Sequence, residues 1–232
     1  MSRKVIATGA DFSKWNIIYD YRALAEAIDF AMLRIGGNEG GQYEDSKFHE
    51  FYNNLHQHKV KLGAYYMLPK KINAAREAEH ILKLIQGYQF EYPIALDYEL
   101  QEVHDRVENT QQLVNLCDIL ENNKLYVSIY SNPNFFRNYM LEEKTRAWDK
   151  WVAAWSATES DDYKGGMWQY SNKITLPGVS GYVDGDRAFY DYPKLMLDNG
   201  LNGFDKELST CCPNKNCPNR GICFNRLSEE DL

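Results

Sequence analysis

In the stretch PIALDYELQ, residues 93–101, apolar and acidic side chains alternate toward the C-terminal end, a pattern typical of a strand. The two acids, Asp97 and Glu99, are two positions apart, so in a strand they share one face with their Cα atoms roughly 6.6 Å apart. A buried charge is costly unless it is paired or used in chemistry. The pattern therefore predicts a buried strand that brings two carboxyl groups to one functional site.

Strand-like and helix-like segments alternate on both sides of this stretch. Five predicted strands (5–12, 30–37, 61–68, 92–100 and 125–131) are each followed by a predicted helix (19–28, 46–58, 73–88, 109–123 and a short one from 132). Three more strands (149–156, 165–171 and 181–189) have only loops between them, and a last helix is expected after 190.

This order predicts the fold class. Alternating strands and helices indicate a parallel sheet, and eight strands are enough to close a barrel. We therefore predict an α/β fold, an irregular TIM-like β/α barrel with eight strands, about five helices and its last three strands joined by loops. Residues 1–204 are expected to form this domain, and residues 205–232 a cysteine-rich C-terminal tail.

The tail carries four of the five cysteines, in the stretch CCPNKNCPNRGIC. Three interpretations are open: two disulfides formed in an oxidising exterior, a zinc ion held by four thiolates, or free thiols on a flexible segment. The cysteines concerned are Cys211, Cys212, Cys217 and Cys223. The fifth, Cys117, lies in an apolar helical pattern and is expected in the core.

The charge and hydropathy of the chain bound its partners. The formal net charge is −7 over 232 residues, whereas nucleic-acid binders show a basic patch or stripe. No apolar run approaches the roughly 18 residues of a membrane span. The N-terminal MSRKVIATGADF has no apolar core of a secretory signal. We expect no nucleic-acid partner, no membrane insertion, and synthesis in the cytoplasm without a signal peptide.

Polar and aromatic residues mark the predicted strand ends. Because active sites of β/α barrels lie at the carboxyl ends of the strands, these residues are expected around one mouth. They are Asp11, Arg34, Tyr65, Asp97, Glu99, Tyr130, Trp155, Trp168, Gln169, Asp184 and Asp186. Paired carboxyl groups suit cleavage of a glycosidic bond, with one acid protonated and the other ionised, and flat aromatic rings suit sugars.

Simpler interpretations of these residues stay open. A strand-end aspartate often caps a loop or forms a turn, and Arg34 could pair with an acid. Clustered acids could also bind a divalent metal. The five histidines fall on helices or loops, which argues against zinc at the mouth.

Eight segments, in the same order, resemble glycoside hydrolase family 25, the Chalaropsis-type lysozymes that include many phage endolysins. They are ADFSKW, AMLRIGG, KLGAYYML, PIALDYE, LYVSIYSNP, KWVAAW, MWQYS and GVSGYVDGDRAF, and the resemblance covers residues 5–190. The resemblance implies a β/α barrel whose last three strands are closely spaced. It also implies N-acetylmuramidase activity on bacterial peptidoglycan, at the β-1,4 bond between N-acetylmuramic acid and N-acetylglucosamine.

The resemblance also assigns roles to individual residues. It implies that Glu99 is the general acid, and that Asp97 assists the acetamido group of the substrate or stabilises the cation. Asp11 and Asp184 are the other two acids, Tyr65 and Tyr130 line the cleft, and no metal or cofactor is required. We expect a monomeric endolysin of a phage or prophage that acts on the cell wall.

Two departures from the family pattern bear on the substrate more than on activity. Asp186 stands where an asparagine is common, and Trp155 ends a segment that more often ends in tyrosine. Two rival functions stay open: a glycosidase acting on another amino-sugar polymer, and a glycan-binding barrel without activity.

Overall fold

The computed structural model describes residues 3–100, 106–156, 158–159 and 163–205. The strands are β1 (Ala7–Phe12), β2 (Ile17–Ile18), β3 (Phe30–Gly37), β4 (Tyr43–Glu44), β5 (Lys61–Met67), β6 (Ile94–Asp97), β7 (Val127–Ser131), β8 (Asp149–Ala153), β9 (Met167–Ile174), β10 (Val179–Ser180) and β11 (Val183–Ala188). The helices are α1 (Tyr21–Ala25), α2 (Phe48–Gln57), α3 (Ala74–Leu84), α4 (Arg106–Asn122), α5 (Pro133–Tyr139), α6 (Glu142–Thr145) and α7 (Tyr192–Asn199).

Eight of the strands close into a barrel. Their order is β1-β11-β9-β8-β7-β6-β5-β3, and β3 pairs with β1 to complete the circle. Of the three short strands, β2 pairs with β10, and β4 extends the edge of β3. The predicted eight-stranded β/α barrel is confirmed, including a helix after each of the first five barrel strands.

The parallel sheet expected from the alternating elements has one exception, its last strand. The barrel strands from β1 through β9 pair in parallel, but β11 is antiparallel to both β9 and β1. A parallel pair needs a crossover of about a dozen residues or more. Residues 154–166 allow such a crossover between β8 and β9, whereas residues 175–182 before β11 are too few.

Polar side chains set the starts of several helices, where backbone N–H groups have no partner within the helix. Asp20 accepts from the N–H of Ala23 before α1, and Asn132 accepts from that of Phe135 before α5. Asn73 accepts from the N–H of Arg76, so the predicted N-cap of α3 is confirmed.

Two apolar clusters lie on either side of the barrel wall. The larger one fills the space between strands and helices and includes Cys117, which is buried in the core as predicted. The smaller one fills the barrel interior and includes Phe30, Trp151 and Tyr192 of α7. The helix expected after 190 therefore closes the end of the barrel opposite the mouth. At Gly9, a Cβ would lie 2.5 Å from the carbonyl oxygen of Phe30, so the interior admits only glycine there.

Several boundaries differ from the predicted ones. The strand expected over 92–100 ends at Asp97, and the helix expected over 19–28 is reduced to α1. Helix α6 and the three short strands were not predicted, because elements of two to four residues leave no periodic pattern. The cysteine-rich tail lies outside the described residues, so its boundary and the state of its four cysteines stay predictions. No helix in the described part of the chain is long and apolar enough to cross a membrane.

Candidate active site

The mouth of the barrel opens into a cavity of about 150 Å³. It is surrounded by four carboxyl groups, three aromatic side chains, one amide and one thioether. The lining residues are Asp11, Tyr65, Met67, Asp97, Glu99, Tyr130, Trp151, Gln169 and Asp184. The structure thus brings together all four predicted acids and three of the six residues expected to bind substrate.

Asp97 and Glu99 enter the cavity from the end of β6. Regular pairing stops at Asp97, but the chain stays extended because the Tyr98 N–H donates to the Tyr130 carbonyl oxygen (3.1 Å) and Ser131 Oγ donates to the Tyr98 carbonyl oxygen (2.7 Å). The Tyr98 ring is fully buried against Phe135 on the outer side. The alternation that predicted a shared face for the two acids therefore continues past the strand end.

Asp11 and Asp184 come from the two strands that close the barrel. They are direct partners in the antiparallel register of β1 and β11, so their side chains lie on the same face. Because β11 runs antiparallel, its N-terminal end lies at the mouth. Asp184 is therefore at the cavity, while Asp186, paired opposite Gly9, lies deeper in the barrel.

Gln169 of β9 connects the acids to the aromatic residues. Its Nε2 donates to Asp11 Oδ2 (2.8 Å), and its Oε1 accepts from the Tyr130 hydroxyl (3.1 Å) and from Trp155 Nε1 (3.0 Å). All of its hydrogen-bonding groups point into the site, and the side chain is buried. Its amide orientation therefore fixes Asp11 as an acceptor.

Burial and mutual repulsion raise the pKa values of these acids. Burial, followed by the charge of Asp184, raises the pKa of Asp11, while hydrogen bonds with Gln169 and Asp186 lower it. Burial and then Glu99 raise the pKa of Asp97 well above its ordinary value. Burial and then Asp184 raise the pKa of Glu99, and burial raises that of Asp184. Desolvation disfavours the charged form, and neighbouring acids add to that effect, so the cluster has protons to donate near neutral pH.

Three residues expected to bind substrate do not line the cavity. Arg34 is buried behind it, where its Nε pairs with Asp45 Oδ2 at 2.6 Å, as the simpler interpretation allowed. Trp168 Nε1 donates to the Ala154 carbonyl oxygen, and its ring is stacked under Arg187. Trp155 follows β8, is 59% exposed and reaches the site through Gln169.

Sequence reasoning missed two lining residues, Trp151 and Met67. Trp151 is the register partner of Tyr130, and its ring lies edge-on to that of Tyr130 with centroids 4.6 Å apart. The signal was available, since Trp151 lies on a predicted strand, but that strand was expected to run to residue 156, with Trp155 as its residue at the mouth. It ends at Ala153, so the inward aromatic residue is Trp151.

Metal binding has no support from the residue geometry. Within residues 3–100, 106–156, 158–159 and 163–205, no group of three or more His, Cys, Asp or Glu side chains is arranged to hold a metal ion. The four tail cysteines lie outside these ranges.

Comparisons with known proteins agree with the fold. The chain is 26% identical over 192 residues to an autolytic lysozyme of Clostridium acetobutylicum, a match that covers 80% of this chain and 58% of that protein. The chain thus spans little more than half of that relative's length. A family 25 glycosyl hydrolase from Bacillus anthracis superposes with a TM-score of 0.72 at 18% identity, covering 87% of this chain and 98% of the other.

The CTP1L endolysin superposes with a TM-score of 0.70 at 23% identity, covering 82% of this chain and 69% of the other. The family model for glycosyl hydrolases family 25 matches residues 10–179. This region begins just before Asp11, contains Asp97 and Glu99, and takes in six of the eight barrel strands whole and the second half of β1. The chain belongs to glycosyl hydrolases family 25.

Proposed function

We propose that this protein is a lysozyme-type peptidoglycan hydrolase that cleaves the β-1,4 bond between N-acetylmuramic acid and N-acetylglucosamine. The observation that carries the proposal is the cavity in which Asp11, Asp97, Glu99 and Asp184 meet beside aromatic rings. The names of two relatives, an autolytic lysozyme and an endolysin, support the same substrate class.

Glu99 is the proposed general acid. A general acid must hold its proton until the glycosidic oxygen leaves, and burial and Asp184 raise the pKa of Glu99 in that direction. Asp97 lies beside it on the same face. It is proposed to orient the acetamido group of the substrate as that group attacks the anomeric carbon, or to stabilise the positive charge that develops there.

Asp11 and Asp184 are proposed to complete the charge distribution around the sugar. Asp11 is held by Gln169, and Asp184 faces it across the strand pair. Negative charge at these positions stabilises an oxocarbenium-like transition state more than the neutral substrate, and such a difference is what accelerates a reaction.

Substrate contacts are proposed for Tyr65, Tyr130 and Gln169 at the cavity, with Trp155 at its exposed edge. Trp168 and Arg34 lie behind the cavity lining and are proposed to support substrate binding from there. Trp168 does so by packing, and Arg34 through the positive charge that it places near Tyr65. No cofactor or metal enters this mechanism.

The biological setting that we propose is lysis by a phage or prophage endolysin that acts as a monomer on the cell wall. The net charge of −7 supports recognition through the cleft rather than through attraction to an anionic wall.

The test is digestion of purified bacterial peptidoglycan, followed by borohydride reduction and identification of the reduced sugar. Muramitol is expected. Glucosaminitol would move the cut to the other glycosidic bond, and no new reducing ends on several walls would favour another amino-sugar polymer or a binding role. Glu99→Gln should abolish the product, and Glu79→Gln, an exposed change on α3, should leave it unaltered.

A further inference from the structure

Asp186 is a buried acid that the proposed mechanism does not use. Its side chain is 0% exposed. Oδ1 accepts a hydrogen bond from Trp151 Nε1 at 2.8 Å, whereas Oδ2 is buried with no hydrogen-bond donor among the described residues. An ionised carboxylate in this position would be a buried charge stabilised by a single neutral donor, which is costly.

The groups that face Asp186 make ionisation more costly. Asp11 from β1 lies within hydrogen-bonding reach, and Asp184 lies two residues away on the same strand. Tyr130 from β7 faces it across the interior, and Gln169 is its register partner on β9. The adjacent cation does not help, because Arg187 points to the other face of β11, where it stacks on the rings of Trp168 and Tyr170.

Two carboxyl groups in contact attract each other only if one of them carries a proton. Asp11 already accepts from Gln169 Nε2 and is 8% exposed, so its surroundings suit the ionised form better. Asp186 has one oxygen occupied by an N–H donor and the other without a donor. A proton on Asp186 Oδ2 satisfies this oxygen and gives Asp11 a second donor. Burial, and after it the nearby charge of Asp11, raises the pKa of Asp186 well above its ordinary value, in agreement with this arrangement.

We propose that Asp186 is a positioning residue that stays protonated, donates a hydrogen bond from Oδ2 to Asp11, and holds the Trp151 indole with Oδ1. One proton is therefore shared within the pair, and Asp11 remains ionised and aimed at the cavity. Since Trp151 also lines the cavity, a single side chain orients an acid and a ring of the site. The proposal rests on the proposed function for its effect on turnover but not for the state of the proton.

Infrared spectroscopy tests the proton directly. In the inactive Glu99→Gln background at neutral pH, the carbonyl stretch of a protonated carboxyl group should weaken when Asp186→Asn is added. Asp118→Asn, an exposed change on α4, is the matched control and should not alter the band. Identical bands with and without Asp186→Asn would overturn the proposal. This measurement does not depend on the substrate, so it decides the proposal even if the wild type releases no sugar.

Turnover tests the positioning role. Asp186→Ala removes both hydrogen bonds and should lower kcat by up to about a hundredfold, the scale of a misplaced reacting group. Asp186→Asn can still donate to Asp11 and accept from Trp151, so it should recover most of that loss in kcat with KM unchanged. Equal losses in the two variants would overturn the positioning role. If Asp186→Ala does not fold, the positioning role is tested by comparing kcat of Asp186→Asn with that of the wild type. A loss in kcat as large as a hundredfold in Asp186→Asn would contradict donation to Asp11.

Discussion

Asp97 at the mouth of the barrel and Asp149 at its opposite end are both aspartates on barrel strands, yet their surroundings differ. Asp149 accepts from the Tyr192 hydroxyl, from the N–H groups of Gly166 and Lys150 (both 2.7 Å) and from the Tyr126 hydroxyl (3.4 Å). Asp97 is buried with Oδ1 lacking any donor among the described residues, beside Glu99 and Asp11.

The difference separates structural acids from reactive ones. Hydrogen bonds to Asp149 oppose the rise in pKa that burial causes, so that carboxylate ties α7 and the start of β9 to the barrel. At the mouth, repulsion between acids adds to burial. Unsatisfied buried groups cost stability and are retained where function needs them, which supports the proposed active site at the mouth.

The largest effect is expected from Glu99→Gln at the mouth. Removing a general acid lowers turnover by about 10² to 10⁴-fold, whereas the amide has nearly the same shape and the fold should be kept. Rates of release of reducing sugar from peptidoglycan, together with circular dichroism, measure the two properties. Turnover within about threefold of the wild type would remove Glu99 from its proposed role.

Asp149→Ala and Asp97→Asn should change stability in opposite directions. Asp149→Ala leaves two hydroxyls and two N–H groups without their acceptor, at a cost of about 3 kcal/mol. Asp97→Asn replaces a carboxyl group whose ionised form is disfavoured by burial and by its acidic neighbours, and should raise the free energy of unfolding by about 1 kcal/mol at neutral pH. Urea unfolding of both variants measures the difference, and destabilisation by both would erase the distinction between the two ends.

The pH dependence of stability should sharpen the comparison. Burial and then Asp11 raise the folded pKa of Asp186 well above its ordinary 3.8, so the folded Asp11–Asp186 pair holds a proton that the unfolded chain has released. This contribution to stability is fully present below the unfolded pKa and is lost as pH rises toward and through the folded pKa. Thermal midpoints between about pH 5 and about pH 9 should fall more steeply in the wild type than in Asp186→Asn. Parallel curves would show that the pair holds no extra proton in the folded state.

The smallest effect is expected at the exposed edge of the mouth. Trp155→Ala should raise KM by about threefold to tenfold through lost stacking, with stability changed by less than about 0.5 kcal/mol because the ring is exposed. Trp155→Phe keeps a ring but loses the N–H that donates to Gln169, so its KM should lie between that of the wild type and that of Trp155→Ala. Steady-state kinetics on soluble glycan fragments measure this, and an unaltered KM in Trp155→Ala would exclude contact with sugar.

Much of the fold was predictable because its elements are long enough to show their period. Alternation around Asp97 and Glu99 predicted both the strand and the shared face, and the shared face persists beyond the strand end. The direction of β11 was not predictable from alternation, since a strand has the same pattern whichever way it runs. Loop length carried that information, as residues 175–182 are too few for a crossover.

Local pattern determined the order of strands and helices, the cap at Asn73 and the four acids that meet at the mouth, because each depends on a few neighbouring residues. Only the tertiary structure decided that β1 and β11 close the barrel, that Gln169 joins Asp11 to Tyr130, that Arg34 is paired behind the cavity and that Asp186 lies beneath it. These facts depend on contacts between residues as far apart in sequence as Asp11 and Gln169. A periodic pattern records which face a side chain takes, but not which distant side chain it will meet.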